Sequence, residues 1–188
     1  MSTVLASTPR LLTAEEFAGL PDPPDGRRQE LVKGTIVVMP PPRFSHGQLQ
    51  VRICFILEEY NRRVNHGRVV GETGVITERR PDSVRGPDVS FWSFQRLPAD
   101  VHPDVYPEVA PDLVVEVLSP GERGRRIADK IDEYFRAGVR MVWIADEENQ
   151  TVTAYRRSGE GRTLHVGANL DGEDVLPGFS YPIAKLFT

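Results

Sequence analysis

Cysteine is almost missing from this chain: Cys54 is the single one in 188 residues. That excludes an intrachain disulfide and any cysteine-built zinc cluster. Lysine is nearly as scarce. Of 23 basic residues, only Lys33, Lys130 and Lys185 are lysine and the other 20 are arginine. No apolar run approaches the roughly 18–20 residues of a membrane span. The stretch Met1–Leu5 has neither the basic start nor the long apolar core of a signal peptide. A soluble cytoplasmic protein without a membrane partner is the expectation. Phosphate-loop and dinucleotide fingerprints are also missing, as are internal repeats and low-complexity linkers.

What is present suits one domain over residues 1–188, with residues 1–10 as a loose tail. The formal net charge is −4 and the pI about 5.6. Residues 1–100 carry 13 basic and 12 acidic side chains; residues 101–188 carry 10 and 15. That balance argues mildly against a nucleic-acid binder. The arginine excess argues the other way, since a planar guanidinium grips phosphate with two parallel hydrogen bonds. Composition alone leaves the partner open.

Thr13-Ala14-Glu15-Glu16 is a capping box that opens a short helix ending near Pro21. Residues 30–39 read as two short strands bent at Gly34 and stopped by Pro40–Pro42. Leu49, Ile53, Ile56, Leu57 and Tyr60 recur at helical spacing and predict a helix from about Ser45 to Asn61, with Cys54 packed in it. Short strands follow at 68–71, 74–77 and 88–92, with a polar, arginine-rich loop from Glu78 to Gly86. Leu113–Leu118 is apolar on both faces except at Glu116, which predicts a central strand. Ser119-Pro120-Gly121-Glu122 reads as a second capping box. The helix after it turns Ile127, Ile131, Tyr134 and Phe135 inward and ends at Gly138. Val139–Ala145 and Thr151–Arg156 predict a strand–turn–strand, and the last thirty residues are polar up to Val175–Phe179. The fold class is therefore α/β, a mixed central sheet flanked by helices.

Glu116 is the most informative residue. A carboxylate inside a run of Leu and Val costs several kcal/mol unless it finds a partner. Either an arginine pairs with it, or it serves as a metal ligand or an acid/base group. Asp88 begins a second core strand behind Pro87. Alone it reads as an ordinary Asx turn. Together with Glu116 it suggests a site for a hard divalent cation. Lys130 falls beside the buried stripe of the following helix. It could simply pair on the surface with Asp129 or Glu133, but an amine can also act as a base or point charge.

In combination, Gly86-Pro87-Asp88-Val89, Pro111–Pro120 with its Val-Val-Glu-Val-Leu centre, Asp129-Lys130 followed by Tyr134 and Ala137-Gly138-Val139, and Val142–Asp146 resemble the Uma-two family of proposed restriction endonucleases. That family belongs to the PD-(D/E)XK nuclease superfamily. Residues 13–39 resemble its opening helix and Glu-Leu-Val-x-Gly hairpin, Ser45-His46 the start of its next helix, and Leu176–Phe179 its closing motif. The resemblance implies a restriction-endonuclease-like core and a metal-dependent phosphodiesterase. Asp88, Glu116 and the Val117 carbonyl would hold Mg²⁺ or Mn²⁺, Lys130 would orient or activate water, and Glu30 would assist as the acid preceding the core. Leu118 stands where the plain superfamily motif has lysine. In the resembling family that function sits on the following helix, at the position of Lys130. Gln29, where an aromatic often precedes the family's Glu, is a minor difference.

Arg79, Arg80 and Arg85 precede Asp88, while Arg123, Arg125 and Arg126 follow Glu116. They are candidate contacts to DNA phosphates, or else solvated surface. His46 is a further candidate near the site, with a structural hydrogen-bonding role as the plainer reading. Ser119 lacks a nucleophile elbow and reads as a helix cap. Trp92 and Trp143 read as core. The expected function is a Mg²⁺-dependent DNA endonuclease, working as a homodimer by fold-level analogy. The alternatives are a catalytically inactive nuclease fold binding DNA or protein, and a hydrolase of some other phosphodiester.

Overall fold

The computed structural model describes residues 10–119 and 124–188. Its first helix, α1 (Ala14–Ala18), is held by the expected box: Thr13 Oγ1 accepts from the Glu16 N–H at 3.2 Å, and the Glu16 carboxylate accepts from the Thr13 N–H at 3.0 Å. It ends at Gly19, before the proline anticipated as its stop.

Strands β1 (Gln29–Val32) and β2 (Thr35–Val38) form a hairpin. Its two turn residues, Lys33 and Gly34, have φ of 49° and 76°, the paired positive values of a type I′ turn. Helix α2 (Phe44–Val64) is three residues longer at its C-terminus than expected and ends on Asn65 in the left-handed region. Then come β3 (Gly67–Gly71), β4 (Val75–Glu78), β5 (Ser83–Arg85) and β6 (Val89–Ser93). β5 occupies the segment read as a polar loop. It has one buried apolar residue, Val84, too short a signal for periodicity to reveal. It lies between β1 and β4 and completes an antiparallel sheet of order β2-β1-β5-β4, separate from the central one.

The central sheet is built on β7 (Leu113–Val117), which is followed by α3 (Arg125–Ala137) and β8 (Met141–Asp146). β7 and β8 pair in parallel, so their connection must cross over, and α3 is that crossover. With β9 (Thr151–Arg156) and β10 (Gly161–Leu164), the sheet runs β10-β9-β8-β7-β6-β3, and its other pairs are antiparallel. Alternation along β7 divides the core. Leu113, Val115 and Val117 pack with Leu49, Ile53 and Leu57 of α2; Val114 packs with Ile131, Tyr134 and Phe135 of α3. Glu116 therefore faces α3. The helix ends at Gly138, whose φ of 104° suits glycine. Its N-cap is Gly124; three residues of the box expected at Ser119–Glu122, 120–122, lie outside the described residues.

The polar C-terminal stretch is more ordered than its composition suggested. β11 (Asn169–Gly172), β12 (Leu176–Pro182) and a 3-10 helix (Ile183–Leu186) place Leu170, Leu176, Phe179, Ile183 and Leu186 in the α2-side core. Trp92 and Trp143 are buried core residues, as expected.

Candidate active site

Val89 pairs with Val115, so Asp88, one residue before β6, comes level with Glu116 on β7. The two carboxylates feel each other: the charge of Asp88 is among the influences that raise the pKa of Glu116. Glu116 is 7% exposed. Burial lifts its pKa to about 7, although Lys130 pulls the other way. Lys130 comes from the second turn of α3, and its Nζ lies 2.8 Å from Glu116 Oε1. One turn on, Tyr134 donates its hydroxyl to the same oxygen at 2.5 Å. Burial alone would lower Lys130, but the charges of Glu116 and Glu30 outweigh it and hold the amine well above its usual range.

The hairpin brings Glu30 to the other side of Lys130, with Oε1 3.4 Å from Nζ. Glu30 also accepts from the Gly86 N–H at 3.1 Å and from Arg85 Nη1 at 3.0 Å. Burial pushes its pKa up, but Lys130 and Arg85 pull harder and keep the carboxyl below its ordinary value. Asp88 is held from three directions. Arg28 Nη1 lies 3.1 Å and His46 Nε2 3.2 Å from Oδ1, while the Val117 N–H donates to Oδ2 at 2.7 Å. Burial is again the largest influence, outweighed by His46, the Val117 amide and Arg28, so Asp88 sits below its ordinary pKa. His46 bridges onward, its Nδ1 3.2 Å from Ser119 Oγ.

One cavity of about 320 Å³ is lined by Glu30, Asp88, Glu116 and Lys130, together with His46 and Arg126. The acids and the lysine singled out in the sequence thus converge. The candidate arginines are not gathered around this cavity as a group. Arg85 is turned inward, bonded to Glu133 through Nε at 3.0 Å and Nη2 at 2.6 Å as well as to Glu30. Arg79 pairs with Glu15 at 2.7 Å and Asp82 at 2.9 Å, and neither it nor Arg80 lines the cavity. Arg125 is on the surface of α3, 3.9 Å from Asp129. Arg123 lies outside the described residues. Asp112, which follows Pro111, is held in ion pairs: just before β7 it meets Arg96 and Arg140 at 3.1 Å each and the Ser93 N–H at 2.8 Å.

Sequence reasoning missed two members of the site. Tyr134 was assigned to the core, although its place four residues after Lys130 puts both on one face of α3. Arg28 sat in a polar connection and carried no local signal. Leu118 is partly buried against the α3-side core.

The donor set suits a hard cation. Lys130 and Tyr134 both use Oε1 of Glu116, and Oε2 takes no bond among the described residues. The Asp88 oxygens keep lone pairs beyond those used by their donors. Among the described residues no group of three or more His, Cys, Asp or Glu side chains forms a metal centre. Such a site would rest on two carboxylates and a backbone carbonyl.

The sequence matches the Uma2 family, described as "Putative restriction endonuclease", over residues 14–184. The chain belongs to that family. The fold agrees: a "putative nuclease belonging to DUF820 from Anabaena variabilis" superposes with a TM-score of 0.80, covering 94% of this chain and 97% of that one at 23% identity. At that identity the likeness establishes a shared restriction-endonuclease-like fold. No curated protein matches the chain. No helix among the described residues is long and apolar enough to cross a membrane.

Proposed function

We propose that this Uma2 protein is a divalent-cation-dependent endonuclease that hydrolyses phosphodiester bonds in DNA, working as a cytoplasmic homodimer. The observation that carries the reading is the gathering of Asp88, Glu116 and Lys130 around one cavity, with the amine 2.8 Å from Glu116. Asp88 and Glu116, with the Val117 carbonyl, are the groups that would hold Mg²⁺ or Mn²⁺. When bound, such a cation neutralises phosphate charge and makes water a better nucleophile.

The chain's own groups have separable tasks. Arg28, His46 and the Val117 amide hold the Asp88 carboxylate in one orientation. Tyr134 and Lys130 do the same for Glu116. Lys130 stays protonated between Glu116 and Glu30, which favours a role as a fixed positive charge that orients water and offsets phosphate over one as a base. Glu30 positions that ammonium. Arg126, on the cavity wall, is the arginine best sited to meet a phosphate.

The test is nicking of supercoiled plasmid with Mg²⁺ or Mn²⁺, comparing wild type with Glu116→Gln and Lys130→Ala. Both variants should lose roughly 10²–10³-fold in rate. Equal activity in all three would point to a contaminant and remove the assignment. Leu118 in the lysine position favours a second reading, a silent nuclease fold that binds DNA or protein. Calorimetric titration separates the two: Mn²⁺ binding that Asp88→Asn and Glu116→Gln abolish supports the enzyme, and no Mn²⁺ binding supports the silent module.

A further inference from the structure

α2 turns an apolar stripe away from its own fold. Phe44, Val51 and Phe55 are 87%, 68% and 66% exposed. At about 100° per residue the three lie within roughly 40° around the helix. Gln48, also exposed, borders them, and the one charged side chain within these three turns is Arg52, half-buried at the flank and bonded to the Leu186 carbonyl at 3.1 Å. Charges return beyond the stripe, at Glu58, Glu59, Arg62 and Arg63. An uncharged centre with a charged margin is the anatomy of a protein–protein interface.

We propose that two copies of the chain pair through this face, α2 against α2 and antiparallel. The stripe is self-complementary in that arrangement. A two-fold axis between Leu49 and Gln50 sets Phe44 opposite Phe55 of the second copy and Gln48 opposite Val51, and symmetry repeats both contacts. Parallel pairing would set each phenylalanine against itself and leave two uneven layers. The antiparallel arrangement also lays Glu58 and Glu59 within about a turn of Arg43 and the positive N-terminal end of the partner helix.

The area is adequate. The exposed parts of these three side chains amount to roughly 400 Å² per copy. That is about half of the ~800 Å² each partner contributes to a standard interface, before any flanking residue is counted. The inner face of the same helix carries His46 to the cavity, so the axis relates two sites offset by about 10 Å along the paired helices. This pairing does not depend on the nuclease reading, because it is measured without substrate or metal.

Sedimentation velocity of the full chain across a concentration series is the experiment. Wild type should be dimeric at ~100 µM, and Phe55→Glu should weaken association at least ~100-fold. The far-UV circular dichroism of that variant should be unchanged, since residue 55 is exposed. Arg43→Glu should weaken the dimer several-fold, and adding Glu59→Arg in the same chain should restore it. A monomeric wild type, or a dimer indifferent to Phe55→Glu, would overturn the proposal. Failure of the charge swap to restore association would overturn its antiparallel register.

Discussion

Replacing Arg85 by methionine takes away the cation that Glu133 and Glu30 share. The three side chains are only 16%, 10% and 6% exposed, so water cannot substitute for the guanidinium. Glu30 keeps Lys130 and the Gly86 N–H, and the stranded group is chiefly Glu133, left with the Thr77 hydroxyl. Breaking a buried pair from one side costs about 3–5 kcal/mol. Urea unfolding of wild type and Arg85→Met at pH 7 measures it directly. The variant should lose about 3–5 kcal/mol, and Glu133→Gln in the same chain should recover most of the loss. A loss below about 1 kcal/mol at pH 7, together with weakened DNA binding, would refute the reasoning and return Arg85 to the role of phosphate contact.

The pKa of Glu116, lifted by burial to about 7, puts a proton in competition with any cation there. Apparent Mn²⁺ affinity should fall by up to ~10-fold per pH unit below that value, with Asp88, held below its ordinary pKa, adding nothing further. Calorimetry at pH 6 and pH 8 would show it, and equal affinities would contradict it. In the metal-free protein the same raised pKa favours the fold at low pH, a contribution lost as pH rises through about 7. Gly67→Ala tests the packing of the central sheet: a Cβ there would sit 2.1 Å from the Trp92 carbonyl oxygen and 2.6 Å from the Phe91 ring. That overlap should cost about 1–3 kcal/mol by thermal melting, and an unchanged midpoint would show that β3 and β6 are not packed as described.

The main strands and helices could be read from hydrophobic period because each carries its own apolar stripe. β5 could not, since a three-residue strand with one buried valine has no period. The C-terminal hairpin escaped for a related reason: its core residues are spaced by turns and polar positions, and only the tertiary structure gathers them. At the site, Glu116 announced itself as a charge inside an apolar run. Asp88 and Lys130 gained meaning once set beside it and beside a family resemblance.

What the sequence determined by itself was chemical: which strand had to be buried on both faces, which carboxylate would need a partner, and which scarce amine lay on the next helix. Partnership was decided only in three dimensions. Arg85 and Arg126 look alike along the chain, yet one closes an ion-pair network with Glu30 and Glu133 and the other lines the cavity. The physical reason is that an ion pair depends on distances of about 3 Å between side-chain tips. Those distances are set by how the small antiparallel sheet docks on α3, a relation between elements far apart in sequence.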